Sequence, residues 1–124
     1  MASVFPTGSY FTKSGALADN NLTTVYTVGD QGEKYADVVG ITVAASAAFA
    51  DTCSVYRRQA SDTTDYALVF KGAVEADFPL QIEGLPIHLT AGDLIKLQAT
   101  AGATHTLHYH ISINKITSTP SGTK

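Results

Sequence analysis

Three of the four histidines in this 124-residue chain fall within six positions, in the stretch THTLHYHISINKI at 104–116. An imidazole can hold a transition metal, pass a proton or respond to pH near neutrality, and spacing decides which of these is open to it. On a strand, side chains at i and i+2 leave the same face. His108 and His110 therefore stand together beside Thr106 and Ser112, while Leu107, Tyr109, Ile111 and Ile113 line the opposite face with His105 at its fringe. Two imidazoles are half of a metal site. His88 becomes a third ligand only if its strand neighbours the histidine strand with that face aligned.

The His-x-His spacing is similar to the first motif of the cupins, in which a glycine, five residues and His-x-His are followed by a glutamate. Gly102 precedes His108 by that interval. The positions where the carboxylate belongs hold Asn114 and Lys115, and Lys115 would repel a cation. No second histidine motif follows in this sequence. Metal sites need three or four ligands and a supporting shell. The expectation is therefore no metal and no cofactor, with His88, His105, His108 and His110 facing solvent or an interface.

Nucleophilic chemistry has equally little support. Cys53 is the single cysteine, so no internal disulfide can form, and it alternates with Val55 toward the expected core. There is no Gly-x-Ser-x-Gly elbow, phosphate-binding loop or dinucleotide fingerprint. Asp30, Glu33, Asp51, Asp62 and Asp65 fall in loops or at strand ends, where carboxylates cap turns. Asp93 in AGDLI is expected to close its turn by accepting local backbone amides. The chain reads as a non-enzyme.

The elements that carry these residues follow a period of two. In Phe78-Pro-Leu80-Gln-Ile82-Glu the even positions are apolar; after Gly84 the phase switches to Leu85, Ile87 and Leu89, which predicts a bulge or corner at the glycine. TAGD at 90–93 and TAGAT at 100–104 are turns. They flank a strand with Ile95, Leu97 and Ala99 on one face, so the three C-terminal strands read as an antiparallel meander. Upstream, strands are expected over LTTVYTV (22–28), over YADVVGITV with Val39, Ile41 and Val43 on one face, over 52–59, and over DYALVFKG with Tyr66, Leu68 and Phe70 facing one way. AASAAFAD (44–51) reads as a loop or half-turn. Seven to nine short strands predict an all-β antiparallel sandwich, jelly-roll-like, over residues 22–117.

The flanks differ. Residues 118–124 are a plain polar tail, and residues 1–21 lack periodicity yet carry Phe5, Tyr10 and Phe11. These rings need a surface: either residues 1–21 add an edge strand to the chain's own sandwich, or they form an extended arm reaching a neighbouring subunit. Phe5, Tyr10 and Phe11 are the expected partner-interface residues. Charged residues make up 15% of the chain against roughly 25% in an average protein, so little charge would be desolvated where another protein covered it. The net charge of −3 and the scattered lysines and arginines argue against a nucleic-acid partner, and no apolar run approaches the roughly 20 residues of a membrane helix. Without a signal-peptide pattern at its start, the chain is expected to be made in the cytoplasm.

The order LTTVYTV, an alternating strand, LPIHLTAGDLIKLQATAG and a last strand LHYHISINKI resembles small virion structural proteins of tailed bacteriophages. The glycine-aspartate turn also recurs in trimeric jelly rolls of the tumour-necrosis-factor and C1q type. The phage resemblance implies a capsid decoration or cement protein on the virion surface, made in the host cytoplasm. Its partners would be the major capsid protein and copies of itself in a symmetric homo-oligomer such as a trimer. A tail, baseplate or fibre-associated β-domain shares this sequence character. A carbohydrate-binding module would instead need an exposed aromatic platform, for which Tyr35, Tyr56 and Tyr66 are candidates.

Overall fold

The computed structural model describes residues 8–45, 51–75, 78–100 and 106–116. Phe5, His105, the turn expected at 101–104 and the tail 118–124 lie outside that set. The described residues form eight strands and no helix: β1 (Gly8–Leu17), β2 (Thr23–Thr27), β3 (Tyr35–Ala45), β4 (Asp51–Arg58), β5 (Tyr66–Val74), β6 (Leu80–Thr90), β7 (Leu94–Ala99) and β8 (Leu107–Ile116). They build two antiparallel four-stranded sheets in the orders β1-β8-β3-β6 and β2-β7-β4-β5. Every connection between consecutive strands crosses from one sheet to the other except β4–β5, which is the strand order of a jelly roll. The expected sandwich is thus present, with the strand number inside the expected range.

Alternation supplies the core. Ile41, Val43, Leu107, Ile111 and Ile113 from the first sheet meet Cys53, Val55, Ile95, Leu97 and Ala99 from the second, all buried. Burying such side chains stabilises by about 1.5–3 kcal/mol each before conformational entropy is subtracted. The predicted phase switch near Gly84 is real: Ile82 packs on the core, and so do Ile87 and Leu89, five and seven positions on. The partner strand switches too, because the β3–β6 and β3–β8 registers both slip between Val38 and Gly40. This corrects the face read for β3. Val38, Ile41 and Val43 point inward, and Val39 sits in the bulge, 47% exposed.

A second correction concerns the C-terminal strands. They do not form a meander, since β6 and β8 lie in one sheet while β7 lies in the other, between β2 and β4. The turn at 90–93 sends the chain across the sandwich because it is fastened to two distant segments. Val28 donates its amide to the Asp93 carbonyl, Gly92 donates to the Val28 carbonyl, and the Asp93 carboxylate accepts the amides of Thr90 at 3.0 Å and Ala60 at 2.9 Å. The expected local cap at Asp93 is there, and it also reaches across to the loop after β4. Gly92 has φ +91°, and a Cβ there would lie 2.8 Å from the Cβ of Ala60, so glycine is required twice over.

The N-terminal segment takes the first of its two expected forms over residues 8–17, as the edge strand β1 paired along its length with β8. Hence the sandwich begins at Gly8 in this structure, upstream of the boundary drawn at residue 22. Phe11 points inward, packs on the core and meets Tyr26 edge-to-face at 5.9 Å.

Beneath that ring pair lies a buried carboxylate that the sequence reading had treated as a turn cap. Glu33 is 2% exposed and accepts from the Tyr26 hydroxyl and from the Gln31 amide at 2.7 Å. Burial alone would raise its pKa, but the Tyr26 hydroxyl and the amides around it hold it below the usual carboxylate range. Burial and the Glu33 carboxylate push the Tyr26 phenol far up, so it remains the donor. Because the folded pKa of Glu33 is depressed, its stabilising effect is fully present above the unfolded value of about 4.3 and is lost as pH falls through the folded value. Urea unfolding midpoints measured from pH 7 to pH 3 are expected to fall below about pH 4.5 in the wild type, and to fall less steeply in Glu33→Gln, which starts lower at pH 7.

Candidate functional site

His108 and His110 stand on the outer face of the first sheet, as the spacing predicted, with Leu107, Ile111 and Ile113 fully buried behind them. Their cross-strand neighbours are small: His108 pairs with Ala16 and Ala44, and His110 with Ser14 and Thr42. The two imidazoles therefore rise from a shallow concavity of about 540 Å³ floored by Ser14, Gly15, Ala16, Thr42 and Ala44. No carboxylate lines it. His88 lies on the same outer face but two strands away on β6, where its register partner is Asp37, so it is not brought to His108 and His110. Among the described residues no group of three histidine, cysteine or acidic side chains could hold a metal ion.

His88 Nδ1 instead lies within hydrogen-bond distance of Asp37 Oδ1, at 2.5 Å. Beside them Tyr35, Leu89, Thr90 and Ile116 complete a hollow of about 270 Å³. Sequence reasoning named Tyr35 and His88 separately and missed their meeting. The signal that could have found it was the pairing of β3 with β6, which sets Asp37 opposite His88.

Cys53 is fully buried, and burial pushes its thiol up to about 11. It carries no chemistry in the folded state. Thiol-specific alkylation at pH 8 is expected to be slower than that of an unfolded control by at least about 100-fold, following the low thiolate fraction and the closed core, and to become fast in denaturant. The acids are likewise engaged structurally: Asp62 accepts the amides of Thr63 and Thr64, and Asp65 pairs with Arg58 and Lys96. Arg57 and Arg58 part, Arg57 toward Asp93 and Arg58 toward Asp65.

The second surface is the edge strand β5. Tyr66, Leu68 and Phe70 are all exposed, as is Phe78 in the connection that follows, but the β4–β5 register shifts twice, so strict alternation does not run through the strand. For Phe70 the cause is local. Lys71 adopts φ 53°, a left-handed conformation that costs a non-glycine residue about 1 kcal/mol, and its amide donates to Ser54 Oγ at 2.9 Å. This bulge keeps Val69 opposite Val55 and Gly72 opposite Cys53 while leaving Phe70 outside. β5 has β4 as its one sheet neighbour, so its other edge is unpaired among the described residues.

Of the partner-interface residues expected from the sequence, Phe11 is partly buried and packs on the core, and Tyr10 is 75% exposed on the outer side of β1. Phe5 lies outside the described residues. Since β1 packs over β2 and β5 over β6, the edge bearing Tyr10 and the edge bearing the β5 strip lie on opposite sides of the sandwich.

No protein-family profile matches the chain, and no curated protein matches its sequence. Solved structures do match in shape. A chain of the acid-stable capsid of the Helicobacter pylori bacteriophage KHP30 superposes with a TM-score of 0.57 at 10% identity, covering 92% of this chain and 95% of that one. A chain of the disulfide-linked pili that form Bacillus endospore appendages gives 0.53 at 13% identity, covering 92% and 90%. At these identities the likeness is one of fold: the chain is an all-β, jelly-roll sandwich of the kind those two proteins share.

Proposed function

We propose that this protein is a non-enzymatic structural subunit of a virion. Within the virion we assign it to decoration or cement on the head surface, tying the major capsid protein together and contacting copies of itself. The observation that carries this reading is the apolar strip of Tyr66, Leu68, Phe70 and Phe78 on the open β5 edge of a charge-poor jelly roll. Monomeric proteins rarely leave such a contiguous patch to water, and covering it stabilises by about 25 cal/mol per Å² of apolar surface. The capsid chain from KHP30 supplies a precedent of the same fold in a phage shell.

Two opposite edges with different surfaces suit a heterologous contact, in which the β1 edge of one copy, with Tyr10, meets the β5 strip of the next. A contact of this kind closes into a ring when its rotation allows, and a trimer is one such ring. The pilus comparison points away from covalent linkage here. That protein is described as disulfide-linked, whereas the one cysteine of this chain is buried in the core.

Immunogold labelling of purified particles with antibody to the chain, backed by mass spectrometry of the particles, tests the assignment. Gold over the head shell is the expected result. Gold on the tail or baseplate would move the protein to that part of the virion, and its absence from particles would remove the structural reading altogether.

A further inference from the structure

We propose that Tyr35, Asp37 and His88 form a recognition site for a neutral saccharide on the outer face of the β1-β8-β3-β6 sheet. The site is independent of the assembly reading and lies on the opposite sheet from the β5 strip. A pyranose ring presents an apolar face of C–H groups and a rim of hydroxyls, so it is held by an aromatic platform beside fixed polar groups. The hollow offers both. Tyr35 is 39% exposed, and the partly exposed Ile116 gives the same depression an apolar lining. On the polar side, Asp37 Oδ1 holds His88 Nδ1, which fixes the imidazole and leaves Nε2 without a partner among the described residues. Thr90 also lines the hollow, its hydroxyl donating to Asp93 and keeping lone pairs to accept.

The size and charge of the hollow narrow the ligand. Its volume of about 270 Å³ sits just under the range of roughly 300–1,000 Å³ for drug-sized ligands, which suits one ring with the remainder outside. Asn114, Asp37 and His88 are register partners across three strands, so a polar row about 10 Å long at the usual strand spacing extends one strand beyond the hollow, toward where a linked sugar would lie. Among the described residues no lysine or arginine lines the hollow, which disfavours phosphate or sulfate, and no third metal-ligating group stands with the histidine and aspartate. The Thr90 hydroxyl beside the Asp37–His88 pair donates to Asp93 instead, so the pair reads as a binding pair. Tyr66 is also exposed, but it donates to Asp62 on a loop and has no polar array of this kind. Tyr56 is half-buried.

The test is titration of the full chain, followed by NMR, with a panel of neutral mono- to tetrasaccharides of hexoses and N-acetylhexosamines, with and without EDTA. At least one member is expected to bind with a Kd below about 10 mM, unaffected by EDTA. Tyr35→Ala and His88→Ala should each weaken it by about tenfold or more, Tyr35→Phe should keep it within about threefold, and Tyr66→Ala should leave it unchanged. Thermal melts establish that each variant is folded. The proposal is overturned if no saccharide in the panel binds at about 10 mM, if folded Tyr35→Ala binds as the wild type does, or if EDTA abolishes binding.

Discussion

Asp93→Ala is expected to melt about 10–20 °C below the wild-type protein. Asp93 is 4% exposed and its carboxylate serves three segments together: it accepts the Thr90 amide within its own turn and the Ala60 amide from the loop after β4, and it forms an ion pair with the Arg57 guanidinium at 3.7 Å. Alanine would strand two part-buried donors, each costing about 1–3 kcal/mol, and would leave the inward side of Arg57 without its counter-charge. The sum of about 3–5 kcal/mol is a large share of the 5–15 kcal/mol that holds a domain of this size together. At roughly 4 °C per kcal/mol, it gives the stated shift. Asp93→Asn keeps an acceptor but loses the charge, so it should fall between the two. Thermal unfolding by circular dichroism measures all three. An alanine variant within about 3 °C of wild type would mean that the turn does not fasten the two sheets.

The paired substitution Leu68→Ser and Phe70→Ser is expected to raise the dissociation constant for self-association by about 100-fold or more, while moving the melting temperature little. Large effects on binding come from a few apolar anchors at the centre of a contact, and these two side chains stand in the middle of the β5 strip. Both are already in water in the isolated chain, so polar replacement costs the fold little. Light scattering over a concentration series reads the association, and Val39→Ser, exposed on the other sheet, serves as the control. Unchanged association of the β5 variant would dismiss the strip as a contact between copies.

How far the sequence revealed the fold depends on how many neighbours each residue needed. The histidine strand needed none: Leu107, Ile111 and Ile113 inward and His108 and His110 outward follow from a period of two. The glycine phase switch on β6 was legible for the same reason. Val39 was misread because its bulge arises from the pairing of β3 with both β6 and β8, and nothing local to YADVVGITV marks it. The meander was misread because short turns are compatible with either sheet. What sends β7 across is the fastening of the 90–93 turn to Val28 and Ala60, both far away in sequence. Glu33 looked like one more loop acid until Tyr26 was placed beside it. The exposure of Tyr66, Leu68 and Phe70 was invisible as well, since alternation leaves open whether a face meets the core or water and nothing local marks the two register shifts between β4 and β5.

The pairing of β1 with β8 also governs how this protein comes into being. Its register runs from Gly8 opposite Ile116 to Leu17 opposite Leu107, and among the described residues β1 has no other sheet neighbour. A chain emerging from the ribosome releases the first of these strands long before its mate. That strand must therefore wait, with Phe11 and Leu17 uncovered, until residues 107–116 have been made. Closure of this pair spans a long stretch of sequence and is slow by the standard of proteins built from local contacts, and the interval before it is when the nascent molecule is most open to aggregation or chaperone capture.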